Sequence, residues 1–210
     1  MKKLLYIFLF VFIGVQNVDA QNFPSQVWHD GTLYLSDGEI YKGKLKYDLD
    51  NNIVQLQSQS IQTFSSSSIT RFEIFDEYYG GIRTFYSLPY DVNNNDYAVP
   101  IFFELLTDGP DITLLCREYI TSDPRSMGMY SMYMSPMYGP PMTNSSKLAF
   151  DFYFLADGEI TKYSQKKKEL LNYMDDREDE VKLYMRKNRL SHDRRGDLLR
   201  ITAYYNQLKE

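Results

Sequence analysis

Cysteine and histidine are almost missing from this sequence: Cys116 stands alone, and His29 and His192 are the only imidazoles among 210 residues. A single thiol excludes a disulfide framework, so packing must hold the folded chain together. The two histidines fit neither a zinc-ligand spacing nor a catalytic triad. Ser65 to Ser68 lack the Gly-x-Ser-x-Gly elbow that would expose a nucleophile. After the first 20 residues no apolar run approaches the roughly 20 residues of a spanning helix. Helical periodicity is also missing between Thr32 and Ser164. Together these absences point away from an enzyme, and no cofactor is expected.

What is present begins with Lys2 and Lys3, a mostly apolar run from Leu4 to Val15, and Val18-Asp19-Ala20, the pattern of a secretory signal peptide cleaved before Gln21. The apolar run is too short to span a bilayer, and no cysteine lies near the cleavage point to carry a lipid. The exported chain would be periplasmic or outer-membrane-associated, with no transmembrane segment. Residues 1–20 hold two of the 23 basic and one of the 28 acidic side chains, leaving 21 and 27, a formal net charge of −6. The charge is uneven: residues 21–164 carry 9 basic and 18 acidic groups, residues 165–210 carry 12 and 9. A body of net −9 repels phosphate and excludes nucleic acid as a partner. The opposite sign of the tail favours its docking on the body.

Short runs rich in Tyr, Phe, Ile, Leu and Val, broken by turn residues, predict a mainly β, antiparallel body over residues 22–164, with a C-terminal helical segment: α+β overall. The first strand group is Thr32–Ser36, Glu39–Tyr47, Asn52–Gln57, Ser60–Phe64 and Ile69–Phe75, a candidate small barrel over residues 32–76. The second is Ile82–Leu88, Ala98–Leu106, Ile112–Ile120, Leu148–Leu155 and Glu159–Tyr163, a candidate second sheet over residues 82–164 interrupted by a loop at 121–147. Within Glu39–Tyr47 the residues Tyr41, Gly43, Leu45 and Tyr47 share one side and Lys42, Lys44 and Lys46 the other, a period of two with one wet face. Cys116 shares a face with Leu114 and Glu118 and reads as a small buried hydrophobe. Asp-Gly pairs at 30–31, 37–38, 108–109 and 157–158 predict tight turns in which both residues tolerate positive φ. From residue 165 the period becomes helical: Lys166–Met174, Glu178–Lys187 and Asp193–Leu208, the last with a stripe of Leu198, Ile201, Tyr205 and Leu208.

Six of the nine methionines and three tyrosines crowd into Ser126–Met142. Met127, Met129, Tyr130, Met132, Tyr133, Met134, Met137, Tyr138 and Met142 form an adaptable surface and are the candidate contacts for a partner protein or surface of the envelope. The same thioethers could take Cu(I) in an oxidising compartment, although Gly128, Pro136, Gly139, Pro140 and Pro141 give no frame to fix ligand geometry. Two acidic segments, Asp48 to Asn52 and Asp91 to Asp96, fail the calcium-loop pattern: the sixth and twelfth positions are Ile53 and Gln59 in one, Asp96 and Phe102 in the other. Both read as hairpin turns, and Asp175 to Glu180 as a solvated helix start.

Residues 32–76, with Asp37-Gly38 and Gly43, resemble the Sm-like and SH3-like small barrels. Over more of the chain, Leu35-Ser-Asp-Gly-Glu-Ile-Tyr-Lys-Gly-Lys-Leu-Lys-Tyr47, Phe102-Phe-Glu-Leu-Leu-Thr-Asp-Gly109 and Tyr204-Tyr-Asn-Gln-Leu208 resemble a group of uncharacterised, signal-peptide-bearing proteins of Bacteroidetes. That resemblance implies an envelope location and supplies no chemistry or catalytic residues. The expected function is a non-enzymatic cell-envelope protein that binds another protein or a surface; the alternative is a periplasmic Cu(I)-binding protein acting through the methionine stretch.

Overall fold

The alternation in the first half of the chain becomes strands with one dry side. The structure, a computed structural model, describes residues 22–122 and 146–209. The strands are β1 (His29–Leu35), β2 (Ile40–Asp48), β3 (Ile53–Gln57), β4 (Ile61–Ser65), β5 (Ile69–Asp76), β6 (Gly81–Tyr90), β7 (Val99–Thr107), β8 (Thr113–Ser122), β9 (Ser146–Ala156) and β10 (Glu159–Tyr163). Three helices follow: α1 (Lys167–Tyr173), α2 (Glu178–Asn188) and α3 (Arg195–Gln207). The architecture is mainly antiparallel β with helices at the C-terminal end, as the sequence predicts. One hydrogen-bonded sheet contains all ten strands, in the order β10-β9-β8-β7-β6-β5-β1-β2-β3-β4.

That order forces curvature. β4 is an edge and β5 lies four strand spacings away, about 19 Å in a flat sheet at ~4.8 Å per spacing. Only the 3₁₀ turn Ser66–Ser68 joins them, and such a link reaches at most about 15 Å from Ser65 to Ile69. The first strands must therefore curl over themselves. Their inward side chains, among them Leu33, Leu45, Val54, Leu56, Phe72, Ile74, Phe85 and Phe102, form one buried core. Phe72 stacks on Phe85 with centroids 4.5 Å apart, and Phe102 meets Phe72 edge-on at 5.2 Å.

β8 and β9 are built differently. Leu114, Leu115 and Cys116, and again Phe152, Tyr153 and Phe154, are buried in succession, so both faces of these strands are covered. On one face Leu114, Cys116, Phe152 and Phe154 meet Leu170, Met174, Val181, Met185, Leu198, Ile201 and Tyr205 of the helical layer. Ile101, Phe103, Leu115 and Tyr153 make a separate cluster on the other. Burying each large apolar side chain contributes about 1.5–3 kcal/mol, which the short helices need because each is marginal alone. Tail cations reach body carboxylates, as the charge asymmetry suggests: Arg195 pairs with Glu104, and Lys209 lies 2.8 Å from Asp111.

The Asp-Gly expectation needs correction. Asp30-Gly31 is not a turn but lies within β1, opposite Lys44 and Gly43. A Cβ at Gly31 would overlap the Glu73 carbonyl and sit 2.8 Å from Leu45 Cδ1, so close approach of β5 is the reason for this glycine. Only Asp157-Gly158 has positive φ at both positions, 51° and 81°. At Asp37-Gly38 the glycine alone is left-handed, and the Asp37 carboxylate accepts the Glu39 N–H at 3.0 Å. The acidic segments are turns: Asp48 accepts from Asn51 N at 3.0 Å, and Asp91 from Asn93 N and Asp96 N at 3.0 and 2.7 Å.

Candidate functional site: a buried arginine under a cleft

β7 and β8 do not stay together. Their pairing ends at Glu104 and Cys116, with an irregularity between Leu105 and Thr107. The β2–β3 turn enters the gap: Asn52 Oδ1 accepts from Phe102 N at 3.2 Å and from Arg117 Nη1 at 3.1 Å, while Arg117 also donates to the Leu49 and Phe102 carbonyls. Burial holds the Arg117 guanidinium below its ordinary pKa, against the nearby Tyr153 and Asp50. Curling thus brings β2 beside β8, and Tyr47 of β2 donates a hydrogen bond to Glu118 of β8.

Beneath that bond lies the most highly charged part of the interior. Arg83 on β6 is 4% exposed, and Asp76, Glu104 and Glu118 are no more so. All of them sit on the inward face by alternation: Asp76 follows Phe72 and Ile74, Arg83 precedes Phe85, and Glu118 follows Leu114 and Cys116. Every guanidinium donor of Arg83 is taken. Nε and Nη2 grip Glu104 at 2.8 Å each, Nη1 reaches Asp76 at 2.8 Å and Tyr47 Oη at 2.9 Å, and Nη2 also donates to Glu118 at 2.9 Å. The second Asp76 oxygen accepts from Tyr78 N at 2.9 Å. Arg195 of α3 donates to Glu104 and lies 4.2 Å from the Tyr79 ring centroid, while Arg83 lies 4.7 Å from the same centroid.

The electrostatics follow from this crowding. Burial opposes the Arg83 charge, but the hydrogen bonds and charge of Glu104 outweigh it and hold the guanidinium protonated beyond its ordinary range. Three carboxylates face two guanidiniums, a net −1 when all are ionised. Burial pushes Glu118 above the usual carboxylate range in spite of Arg83 and Tyr47, so Glu118 is where a proton would relieve the excess. Burial raises the Tyr47 phenol and the Cys116 thiol in the same way. Chemically the cluster is a cross-tie joining β2, β5, β6, β7, β8 and α3: its acids and bases hold one another, and the free thiol opposite Glu104, Cys116, is buried with its pKa pushed up. Tyr79 Oη and Arg195 Nε are buried without a partner among the described residues.

Above Tyr47 and Glu118 opens a cleft of about 360 Å³. Lys46 to Asp50 of β2 and its turn, Ile53 and Gln55 of β3, Glu118 to Ile120 of β8, and Ser25 and Gln26 of the 3₁₀ turn Pro24–Gln26 line it. Consecutive strand residues point to opposite faces, so a wall containing three in a row from each of β2 and β8 includes main chain. Lys46 to Asp48 have left β1, whose pairing with β2 ends at His29 and Leu45; Arg117 to Ser122 have left β7. Among the described residues these segments pair on one side only, with β3 and with β9.

Most of this escaped sequence reasoning. The nine methionines and tyrosines named as partner contacts lie outside the described residues, and with them the Cu(I) reading. Among the described residues no cluster of three or more His, Cys, Asp or Glu side chains is arranged for a metal, and no helix is long and apolar enough to cross a membrane. His29 is buried, with Nε2 2.7 Å from the Pro24 carbonyl and Nδ1 3.3 Å from that of Phe75. His192 Nδ1 lies 3.4 Å from the Tyr163 hydroxyl. Lys42 and Lys44 are exposed and Lys46 is half-buried at the cleft. The signal available for the cluster was Glu118 at a core position beside Leu114 and Cys116.

Comparison with protein-family models, with curated proteins and with solved structures finds no match to this chain.

Proposed function

We propose that the chain is an exported, non-enzymatic protein of the cell envelope that binds another protein, taking an extended segment of it into the cleft between β2–β3 and β8. The observation that supports this reading is the pair of strand segments, Lys46 to Asp48 and Arg117 to Ser122, bordering one cleft with main chain unpaired on one side. A guest strand gains affinity from such main-chain groups and specificity from flanking side chains. Leu49, Ile53, Tyr119 and Ile120 offer apolar contact, with Tyr119 39% and Ile120 38% exposed. Asp48 and Asp50 outnumber Lys46 around the opening, which favours a guest carrying Lys or Arg. Export rests on Lys2 to Ala20 and is checked by N-terminal sequencing of the cellular protein, which should start at Gln21.

Crosslinking and mass spectrometry in the native cell test the binding. Wild-type protein should give partner crosslinks at Lys46, and Ile120→Asp should remove them while the melting temperature changes little. A companion deletion of residues 124–145 separates the cleft from the methionine-tyrosine stretch as the contact. Capture that survives Ile120→Asp in a folded protein overturns the cleft reading.

A further inference from the structure

A second hollow, of about 200 Å³, opens beside Asp76 at the end of β5 and shares no lining residue with the cleft. Trp28, the chain's single tryptophan, lines it together with Phe75 and Tyr78. Trp28 is half-buried, whereas Phe75 is 50% and Tyr78 70% exposed. Phe75 points outward by alternation, because Ile74 and Asp76 on either side of it are buried. Large rings left in water are unfavourable for the free chain, and gathered around one concavity they mark a binding site.

The polar part of the lining is negative and already engaged. Asp76 is buried, one oxygen held by Arg83 Nη1 at 2.8 Å and the other by Tyr78 N at 2.9 Å. Each ring nitrogen of His29 faces a main-chain carbonyl, that of Pro24 at 2.7 Å and that of Phe75 at 3.3 Å. Asp30 holds Lys44 at 2.9 Å. That leaves Glu77, exposed and without a paired cation among the described residues. Behind Asp76 the Arg83 cluster adds its own net −1 when all its groups are ionised.

We propose that this hollow binds a quaternary ammonium group. Its negative potential selects a cation, and the faces of Trp and Tyr rings attract one through their quadrupole. Hydrogen bonding then chooses among cations. A primary ammonium brings three donors and a guanidinium five, and each donor taken from water without an acceptor is costly. The buried acceptors here are occupied. A methylated ammonium has no donor to satisfy and turns its methyl groups to the rings. The volume is below the roughly 300–1,000 Å³ of a site for a drug-sized ligand, so the hollow takes a head group, carried by a free solute such as choline or by a lipid. This binding is independent of the cleft and of any partner there.

Trp28 is its own reporter, because no other indole contributes to the emission. The test is titration of residues 21–210 with tetramethylammonium, choline, methylammonium and sodium chlorides at constant ionic strength, followed by tryptophan fluorescence. Tetramethylammonium and choline should change the emission saturably and bind more tightly than methylammonium, and sodium should give no saturable change. Tyr78→Ala removes an exposed ring and should weaken binding about two- to fivefold. Glu77→Gln should weaken it too, by a smaller factor at high salt. Tyr97→Ala removes an equally exposed ring outside the hollow and should leave binding unchanged. Circular dichroism checks that each variant is folded. Cosedimentation with phosphatidylcholine vesicles that choline competes away supports a lipid as the source of the head group; choline binding without cosedimentation supports a free solute. Emission that saturates with no cation, methylammonium bound as tightly as tetramethylammonium, or binding indifferent to both Tyr78→Ala and Glu77→Gln overturns the proposal.

Discussion

The two ends of the sheet close over their cores by opposite means. Strands β1 to β5 have a single dry face, and a three-residue link obliges them to roll up until that face meets itself. β8 and β9 have two dry faces, and α1 to α3 lie across one of them. The reach of the chain constrains the first end, whereas the second is closed by an apolar layer reinforced by polar contacts of the tail with Glu104, Asp108 and Asp111. What the first end needs is close backbone approach, supplied by glycine. What the second needs is a docked tail. The Arg83 cluster stands where the two regimes meet, bonded to strands of both and, through Glu104 and Arg195, to α3.

The largest effect therefore comes from breaking that junction. Arg83→Met leaves Asp76, Glu104 and Glu118 buried with no central cation, and removing one partner of a buried ionic group costs about 3–5 kcal/mol. Because the cluster belongs to both ends, a urea titration should show them losing structure together at a lower midpoint. A variant in which one end keeps its wild-type midpoint would show that the cluster ties only one of them.

The next largest effect should separate the ends. Leu198 in α3 is fully buried against Leu114, Cys116 and their neighbours, and Leu198→Ala removes contacts worth about 2–5 kcal/mol. Native-state hydrogen exchange should show α1 to α3 opening sooner, with the amides of β1, β2 and β5 nearly as protected as before. Equal loss of protection across the sheet would mean that the tail is as much a part of the first core as of the second.

The contrast between the ends was partly legible in the sequence. Alternation in Glu39–Tyr47 gave a one-faced strand, whereas Ile112–Ile120 and Leu148–Leu155 were legible as strands but not as strands covered on both faces. Strand positions follow from such patterns because they are local. The cluster does not, because Tyr47 and Glu118 are 71 residues apart and meet only after the sheet has curled. Glu118 could be placed inward by its period with Leu114 and Cys116, but periodicity names no partner. Asp-Gly misled at 30–31 for the same reason: the pair is identical to the other three, and only the passage of β5 beside it shows why the glycine is there.

That glycine offers a smaller and sharper comparison. Gly31→Ala drives a methyl group into the main chain of Glu73, which cannot turn aside; overpacking of this kind costs about 1–3 kcal/mol. Gly109→Ala, at the helical end, meets the side chain of Asn206, which can rotate at the loss of its bonds to the Asp108 and Ile112 carbonyls at 3.2 and 3.0 Å. Thermal denaturation should rank Gly31→Ala as the more damaging. The reverse ranking would mean that the first end tolerates backbone adjustment and that the helical tail is the stiffer part.

The mildest intervention changes one proton. Burial raises the folded-state pKa of Glu118, so the folded protein binds a proton there more tightly than the unfolded chain does. Its contribution to stability is fully present below the ordinary carboxylate pKa and declines as pH rises toward the raised folded value, with a slope no steeper than the ~1.4 kcal/mol per pH unit that one proton permits. Asp176 at the tail acts in the opposite sense: hydrogen bonds from Lys209 and Tyr205 lower its pKa, and its contribution is lost as pH falls through that lowered value. Glu118→Gln keeps an acceptor for Arg83 and a donor toward Tyr47, so it should cost no more than about 1 kcal/mol near the carboxylate pKa and should flatten the decline above it. Denaturant midpoints measured across mildly acidic to neutral pH for wild type and Glu118→Gln decide the matter. Parallel curves would mean that Glu118 is not the group through which the junction of the two ends responds to acid.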